Sequence, residues 1–210
     1  MTELLIIRHG ETEWNAGEIY RGRADIGLNE HGILQAKLLA GYLADAEIEA
    51  VYASPLQRAG QTAEGLAVAR SLKVRVEQGL TDFHYGEWQG MAREEVRTIY
   101  RRLSDAWERT PEAVTMPGGE CLDDVKKRVE AVIGRIVKRH KGTVAIVSHR
   151  VVNKVIICSL LGLGLDRFRD IRVDTCGITT FSIDKGRAIL TGHNDISFLK
   201  NAPIAKLADF

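Results

Sequence analysis

Four consecutive apolar residues, Leu4-Leu5-Ile6-Ile7, run straight into Arg8-His9-Gly10, and this junction restricts the fold more than any other stretch of the chain. An uninterrupted apolar run bounded by turn residues reads as a strand buried on both faces, the kind found in sheets covered by helices on two sides. In such α/β sheets ligands bind outside the carboxyl ends of the strands, so the arginine and histidine that end the run stand where catalytic groups are usually found. Gly10 allows a sharp turn or a close approach of backbone to ligand at that point. The tripeptide alone is equally compatible with a hydrogen-bonded scaffold histidine, and other stretches must decide between the two.

The junction recurs late in the chain, where Val144-Ala145-Ile146-Val147 ends at Ser148-His149-Arg150. Between the two, Thr12 to Asp25 reads as loop with at most one helical turn, and Arg21-Gly22-Arg23 within it can present backbone N–H groups and guanidinium together. Apolar residues at Leu34, Leu38, Leu39, Tyr42 and Leu43 predict an amphipathic helix from Glu30 to near Asp45, followed by a short strand at Ala50-Val51-Tyr52-Ala53. Ser54-Pro55-Leu56-Gln57 has the form of a capping box with Pro at the first helical position. It predicts a helix to about Arg70 with Arg58 in its first turn, where free N–H groups favour an anion. Val74 to Glu77 alternates as a half-exposed strand.

Leu80 to Gly90 packs three aromatic residues, His84, Asp82, Glu87 and two glycines into one segment, more than a plain connection requires. Aromatic walls exclude water from a carboxyl group, which is a setting for a general acid. Arg93 to Arg109 has helical character with one face marked by Val96, Ile99, Tyr100 and Leu103, and Thr110 to Gly119 reads as linker; together, about residues 91–119, they predict a small helical cap. A long apolar stripe from Val125 to Val137 predicts a structural helix capped by Gly142. Val151 to Leu161 predicts a buried helix closed by Gly162, and Ile178 to Ile183 with Ala188 to Thr191 a terminal hairpin. The expected architecture is three-layer α/β, a mostly parallel central sheet with helices on both faces, as a single domain over 1–210.

Composition narrows the partners. Lys and Arg number 29 against 28 for Asp and Glu, so a net charge of +1 offers no general attraction to nucleic acid or acidic membranes, and any anion site must be local. Cys121, Cys158 and Cys176 are widely spaced with no C-x-x-C pattern, which favours a reducing compartment over disulfides or a structural zinc. No basic and apolar leader and no apolar run of membrane-spanning length is present, so a cytoplasmic location is expected.

Two parallel strands each ending in His, with Arg8 beside the first and Arg58 at a helix start, would gather donors around one point. In-line displacement at phosphorus needs this set: a nucleophile, cations over the equatorial oxygens, and an acid at the leaving oxygen. At 4 Å and an effective dielectric near 20, each guanidinium is worth roughly 4 kcal/mol to a unit negative charge. His9 and His149 could in principle ligate a metal, but no further His, Cys or carboxylate spacing supports such a site and the arginines would repel a cation.

Five ordered blocks then resemble the histidine phosphatase superfamily, which includes the phosphoglycerate mutases and related phosphatases. They are Arg8-His9-Gly10-Glu11-Thr12 with Asn15, Ser54 to Ala59 with Gln61-Thr62-Ala63, the Gly86 and Gly90 pair, Pro117-Gly118-Gly119-Glu120, and Ser148-His149. The resemblance implies that His9 becomes phosphohistidine while Arg8, Arg58 and His149 hold the transferring phosphoryl group, with contacts from Asn15 and from the backbone of Arg21 and Gly22 and with no metal or other cofactor. Selectivity is expected from Tyr85, His84, Arg93 and the cap. Two positions depart from the family pattern. Asp82 stands where the family's proton donor is usually Glu, which leaves Glu87 as the alternative acid, and Arg150 stands where a small residue is common, either turned into the following helix or reaching the substrate.

The leading expectation is a phosphatase acting on a small phosphorylated metabolite. The alternative is a phosphoglycerate mutase; mutases carry Arg at the position of Phe83 and a longer insertion with paired arginines, for which Arg93 and Arg101-Arg102 are partial substitutes. A third reading is a phospho-ligand-binding module without catalysis. Monomer and homodimer are both open.

Overall fold

The strand that carries His9 is paired on both sides and sealed on both faces. Strand β1 (Thr2–Arg8) lies at the middle of the sheet, and its side chains alternate between two separate cores: Leu4 and Ile6 pack on one side, Leu5 and Ile7 on the other. Each of these fully buried side chains contributes roughly 1.5–3 kcal/mol. The computed structural model describes residues 1–200, so residues 201–210 of the expected domain lie outside the described residues.

After β1 the chain runs through the single turn α1 (Glu13–Ala16), α2 (Glu30–Tyr42), β2 (Ile48–Ala53), α3 (Gln57–Val68) and β3 (Val74–Val76). It continues with α4 (Arg93–Ile99), α5 (Arg101–Arg109), α6 (Leu122–Arg139), β4 (Thr143–Ser148), α7 (Arg150–Leu161), β5 (Ile178–Asp184) and β6 (Arg187–Asp195). Among the described residues the strands form one sheet in the order β3-β2-β4-β1-β5-β6. β1 to β4 run parallel, while β5 pairs antiparallel with β1 and β6 with β5. Helices α6 and α7 cover one face through Val125, Val129, Val152, Val155 and Ile156, and α2 and α3 cover the other through Leu39, Ala59, Ala63 and Leu66. The three-layer, mostly parallel architecture is therefore the one read from the sequence. β1 pairs with β4 in a register that sets Ile7 beside Val147 and Arg8 beside Ser148, so the two histidines that follow emerge together.

Several local expectations shift, each for an identifiable reason. The buried stripe of α2 is Gly32, Gln35, Ala36 and Leu39, whereas Leu34 and Leu38 are only half-buried and Tyr42 is exposed. Gly32 turns this face inward: a Cβ there would collide with the backbone of Glu11, and one at Gly10 would lie 2.7 Å from the Gly32 carbonyl oxygen, so the loop after His9 rests directly on the start of α2. Gln35 Oε1 accepts the Glu11 N–H at 2.9 Å and fixes the same loop. Tyr42 instead stacks on Phe198 with centroids 4.9 Å apart.

Helix α6 ends at His140, not Gly142. His140 is drawn into an extended conformation by Glu49 at Nδ1 (2.6 Å), Tyr52 at Nε2 (2.9 Å) and a Thr2 hydroxyl on its carbonyl. The region of helical character over 93–109 resolves into two helices that part at Tyr100, whose φ of −111° and ψ of 36° are not helical. The break leaves Ile99 exposed while Val96 and Trp107 are buried. The lysine and glycine at 185 and 186 close the β5–β6 turn with φ of 47° and 81°, the paired positive angles of a tight hairpin.

The segment after Asp82 is locked by a backbone crossing. Gly86 has φ of 56°, and a Cβ on it would overlap the Pro117 carbonyl, while a Cβ on Gly119 would overlap the His84 carbonyl. The Glu87 N–H donates to Pro117 O at 3.0 Å across this contact. Gly86→Ala is expected to destabilise the protein by roughly 2–4 kcal/mol, since it adds both an unfavourable φ and a clash with backbone. A thermal melt within 1 °C of the wild type's would refute the close packing.

Candidate active site

At the carboxyl ends of β1 and β4 the site is built from the polar groups that the sheet delivers. His9 and His149 are buried with ring centroids 5.2 Å apart. The Nδ1 atom of His9 lies 2.6 Å from the Gly10 carbonyl oxygen, a geometry that requires a proton on Nδ1 and leaves the Nε2 lone pair available. Nε2 is therefore the nucleophilic atom of this tautomer. Gly10 is held in turn, its N–H donating to Thr62 Oγ1 at 3.0 Å.

Arg58 is wholly buried and its guanidinium is aimed by three acceptors. Nη1 donates to Ala24 O at 2.8 Å, and Nη2 donates to Gly22 O at 2.8 Å and to Asp82 Oδ2 at 2.9 Å. The carbonyl of Gly22, rather than its N–H, is thus the group turned to Arg58, and its φ of 51° makes that turn possible. Arg8 is buried and donates through Nη1 to Val173 O at 2.7 Å.

Asp82 accepts the Phe83 N–H on Oδ1 at 2.8 Å, and its Oδ2 lies 3.6 Å from His149 Nδ1. Its backbone is braced from behind by Arg128, which donates to the carbonyls of Gly79, Thr81 and Asp82 and pairs with Glu120.

Ser54 explains why the predicted capping box does not form. Helix α3 begins at Gln57, with Leu56 at the cap position and Arg58 as its second residue. The Ser54 hydroxyl lies 2.7 Å from His149 Nε2, and the helix start is capped from another segment, the Gln57 N–H donating to Asp25 Oδ1 at 2.7 Å. The Ser54 contact leaves the other ring nitrogen of His149, Nδ1, turned toward Asp82.

Burial sets the charge state of this cluster. Removal from water pushes the His9 imidazole well below its ordinary pKa of 6.5, and the charges of Arg58, His149, Arg8 and Arg21 push the same way. His149 is lowered by burial first and then by Arg58, Arg128, Arg21 and Arg8. Arg21 is brought down to about 9, chiefly by burial and then by Arg8, with Asp82 opposing. Its Nε and Nη1 atoms are enclosed without a hydrogen-bond acceptor, so this cation is desolvated and these donors are not satisfied by the protein.

His9, Arg21, Gly22, Asp82, Tyr85 and Arg150 line one pocket with Ile19, Tyr20 and Val151, a space of about 320 Å³ including its mouth. Arg58 and His149 stand directly behind this lining through their contacts with Gly22 and Asp82. An aromatic wall closes one side: Tyr85 meets Tyr20 and Phe83 edge-on at 4.9 Å each, and Phe83 stacks on Trp107 at 5.2 Å.

The remaining expected contacts fall elsewhere. Asn15 is buried, but its Oδ1 caps α1 by accepting the N–H and hydroxyl of Thr12 at 3.0 and 2.9 Å. His84 does not line the pocket; its Nδ1 accepts the Gly86 N–H at 3.0 Å within its own turn. Arg93 is directed to Glu108 at 3.0 Å, an ion pair between α4 and α5. Glu87 lies outside the pocket and accepts the Tyr100 hydroxyl at 2.7 Å. Helices α4 and α5 contribute no side chain to the pocket lining and instead support its aromatic wall through Trp107 and Tyr100. Tyr20 and the Ser54 partnership with His149 had no reading in the sequence; the one available signal was the apolar pair Ile19-Tyr20 inside an otherwise polar loop. Among the described residues no group of three or more His, Cys, Asp or Glu is arranged to hold a metal ion.

Comparisons with known proteins agree with this geometry. The model of the histidine phosphatase superfamily (branch 1) matches residues 4–196. Phosphoserine phosphatase 1 of Hydrogenobacter thermophilus is 36% identical over 191 residues, 90% of this chain and 90% of that protein. The structure of YhfR from Bacillus stearothermophilus superposes with a TM-score of 0.92 at 30% identity, covering 95% of this chain and 100% of that one. The mycobacterial glucosyl-3-phosphoglycerate phosphatase complexed with VO3 superposes with a TM-score of 0.86 at 27% identity, covering 91% of this chain and 98% of that one. With its paired strand-end histidines inside a nest of buried arginines, this chain belongs to the histidine phosphatase superfamily.

Proposed function

We propose that the chain is a metal-independent phosphatase that hydrolyses small phosphomonoesters through a phosphohistidine on His9. The observation that carries this reading is the Nδ1 contact of His9 with the Gly10 carbonyl, which leaves Nε2 as an uncharged nucleophile in a pocket also lined by Arg21 and Asp82. Relatives whose names are those of phosphatases support the reaction class.

In the first half-reaction His9 Nε2 forms a bond to phosphorus as the ester P–O bond breaks, and protonated Asp82 delivers its proton to the departing alkoxide. Arg8, Arg58 and His149 carry the charge that builds on the phosphoryl oxygens. In the second, Asp82 as carboxylate takes a proton from water while the water oxygen attacks phosphorus. The P–N bond breaks, inorganic phosphate leaves, and neutral His9 and protonated Asp82 are restored.

Two features speak against the mutase alternative. Phe83, at the position where mutases carry Arg, is fully buried and stacked on Trp107, so it offers no charge to a substrate. Arg101 and Arg102 are exposed on α5, outside the pocket lining. The partner in this reading is a small phosphorylated metabolite, and a reducing, cytoplasmic setting suits the three free thiols.

His9→Ala is expected to abolish hydrolysis of p-nitrophenyl phosphate and the acid-labile, rapidly quenched phosphate label on the wild-type protein. Asp82→Asn should lower kcat by roughly 10²–10⁴, whereas Glu87→Gln should leave it within about twofold; the reverse ranking would transfer the acid role to Glu87. The lowered pKa of His9 places the acid limb of kcat/KM below pH 6.5, because the nucleophilic neutral form persists as pH falls.

The same shift acts on stability. Unfolding lets both histidines take up protons that the folded state refuses, so the stability they contribute is present above pH 6.5 and is lost as pH falls toward their folded values, by up to about 1.4 kcal/mol per pH unit for each. Melts between pH 7.5 and 5.5 should show a steeper decline for wild type than for His9→Ala. Equal slopes would mean that His9 is not held neutral by burial.

A further inference from the structure

A second cation meets the pocket from the start of α7. Arg150 follows His149 directly and lines the same space as His9, Asp82 and Arg21, and its side chain hydrogen-bonds the Tyr85 hydroxyl. Its position is electrostatically unfavourable: the first residue of a 12-residue helix is at the positive end of the helix dipole, and the neighbouring Arg21 is itself lowered in part by the Arg150 charge. Tyr85 is buried in the aromatic wall, and burial holds its phenol protonated while it keeps that contact. Asp82, the carboxyl group of the pocket lining, is shared between Arg21 and Arg58: its Oδ2 is engaged by Arg58 at 2.9 Å while its charge also acts on Arg21. Arg21, across the same pocket, has buried N–H donors at Nε and Nη1 with no acceptor. The arginines and histidine needed for a transferring phosphoryl group are already supplied by Arg8, Arg58 and His149, so Arg21 and Arg150 are cations in excess of that task.

We propose that Arg150, held by Tyr85, and Arg21 form a second anion subsite that binds a carboxylate of the substrate, so that the enzyme acts on phosphorylated hydroxy acids in preference to phosphorylated alcohols or sugars. The inference rests on the phosphatase reading above. A carboxylate suits the site because a planar guanidinium fork matches its two oxygens and because the pocket, 320 Å³ with its mouth, is small. Arg150 then acts on binding and orientation, not on the bond-breaking steps.

The test is a comparison of kcat/KM for matched substrates that differ in the carboxylate: 3-phosphoglycerate against glycerol 3-phosphate, and phosphoserine against phosphoethanolamine, with p-nitrophenyl phosphate as the measure of the chemical step. The wild type should favour the carboxylate member of each pair by roughly tenfold or more, the scale of a charge-assisted hydrogen bond. Arg150→Gln should collapse that ratio toward unity, mainly through KM, and Arg150→Lys should restore part of it. Tyr85→Phe, which keeps the aromatic wall and removes the hydroxyl, should lower the ratio by a smaller factor and serves if Arg150→Gln does not fold. A wild-type ratio near one, or a ratio unchanged in Arg150→Gln and Tyr85→Phe, overturns the subsite while hydrolysis of p-nitrophenyl phosphate leaves the phosphatase reading standing. Inertness toward every ester, p-nitrophenyl phosphate included, overturns both.

Discussion

Like charges held close together in a space with little water repel strongly, and this repulsion is the constraint around which the molecule is arranged. Burial first, and then the charges of Arg58, His149, Arg8 and Arg21, keep the His9 imidazole neutral. Several of these side chains are tied to rigid backbone acceptors: Arg8 to the Val173 carbonyl, Arg58 to the carbonyls of Gly22 and Ala24 beside its ion pair with Asp82, and His9 to the carbonyl of Gly10. The carbonyls belong to loops that rest on a sheet sealed by two apolar cores, so the core supplies the stability against which the charged cluster is held. A preorganised array of this kind needs little rearrangement when negative charge arrives on the phosphoryl oxygens.

How much of this was legible depends on the range of the interaction. The apolar runs at Leu4 to Ile7 and Val144 to Val147, each ending at a histidine, carried the central sheet and the two key side chains because burial on both faces leaves no other pattern. The closing Gly162, with φ of 67°, and the β5–β6 turn were equally readable, since their chemistry is local. What failed to show was every case where a residue with a good local role had been engaged from a distance. Ser54 looks like a helix cap, and it is taken by a histidine 95 positions away. Asp82 is preferred over Glu87 as the acid only through the family resemblance; packing sends Glu87 to the tyrosine before α5 and Asp82 to Arg58. Arg93 looks like a substrate contact until its ion pair with Glu108 is seen.

The segment after β3 illustrates a second limit. Its glycines were visible as a motif, but their reason is a contact between two backbones, Gly86 on Pro117 and Gly119 on His84, which no side-chain pattern encodes. That crossing fastens the aromatic wall to the start of α6, where Arg128 in turn supports the carbonyl of Asp82. The acid and the wall beside it are therefore positioned from the same place. Helices α4 and α5, which stand over this wall rather than over the pocket itself, buttress it through the Phe83–Trp107 stack.

The cap that Asp25 provides for α3 has a wider effect than ending one row of open amides. Asp25 belongs to the loop that carries Arg21 and Gly22, and Gly22 and Ala24 of that loop also receive the Arg58 guanidinium from α3. Loop and helix thus form a closed clasp with fastenings in both directions, one a carboxylate on an amide and the others a guanidinium on carbonyls. Neither half can swing open without undoing the other, so the pocket's floor and its side wall must loosen as one unit.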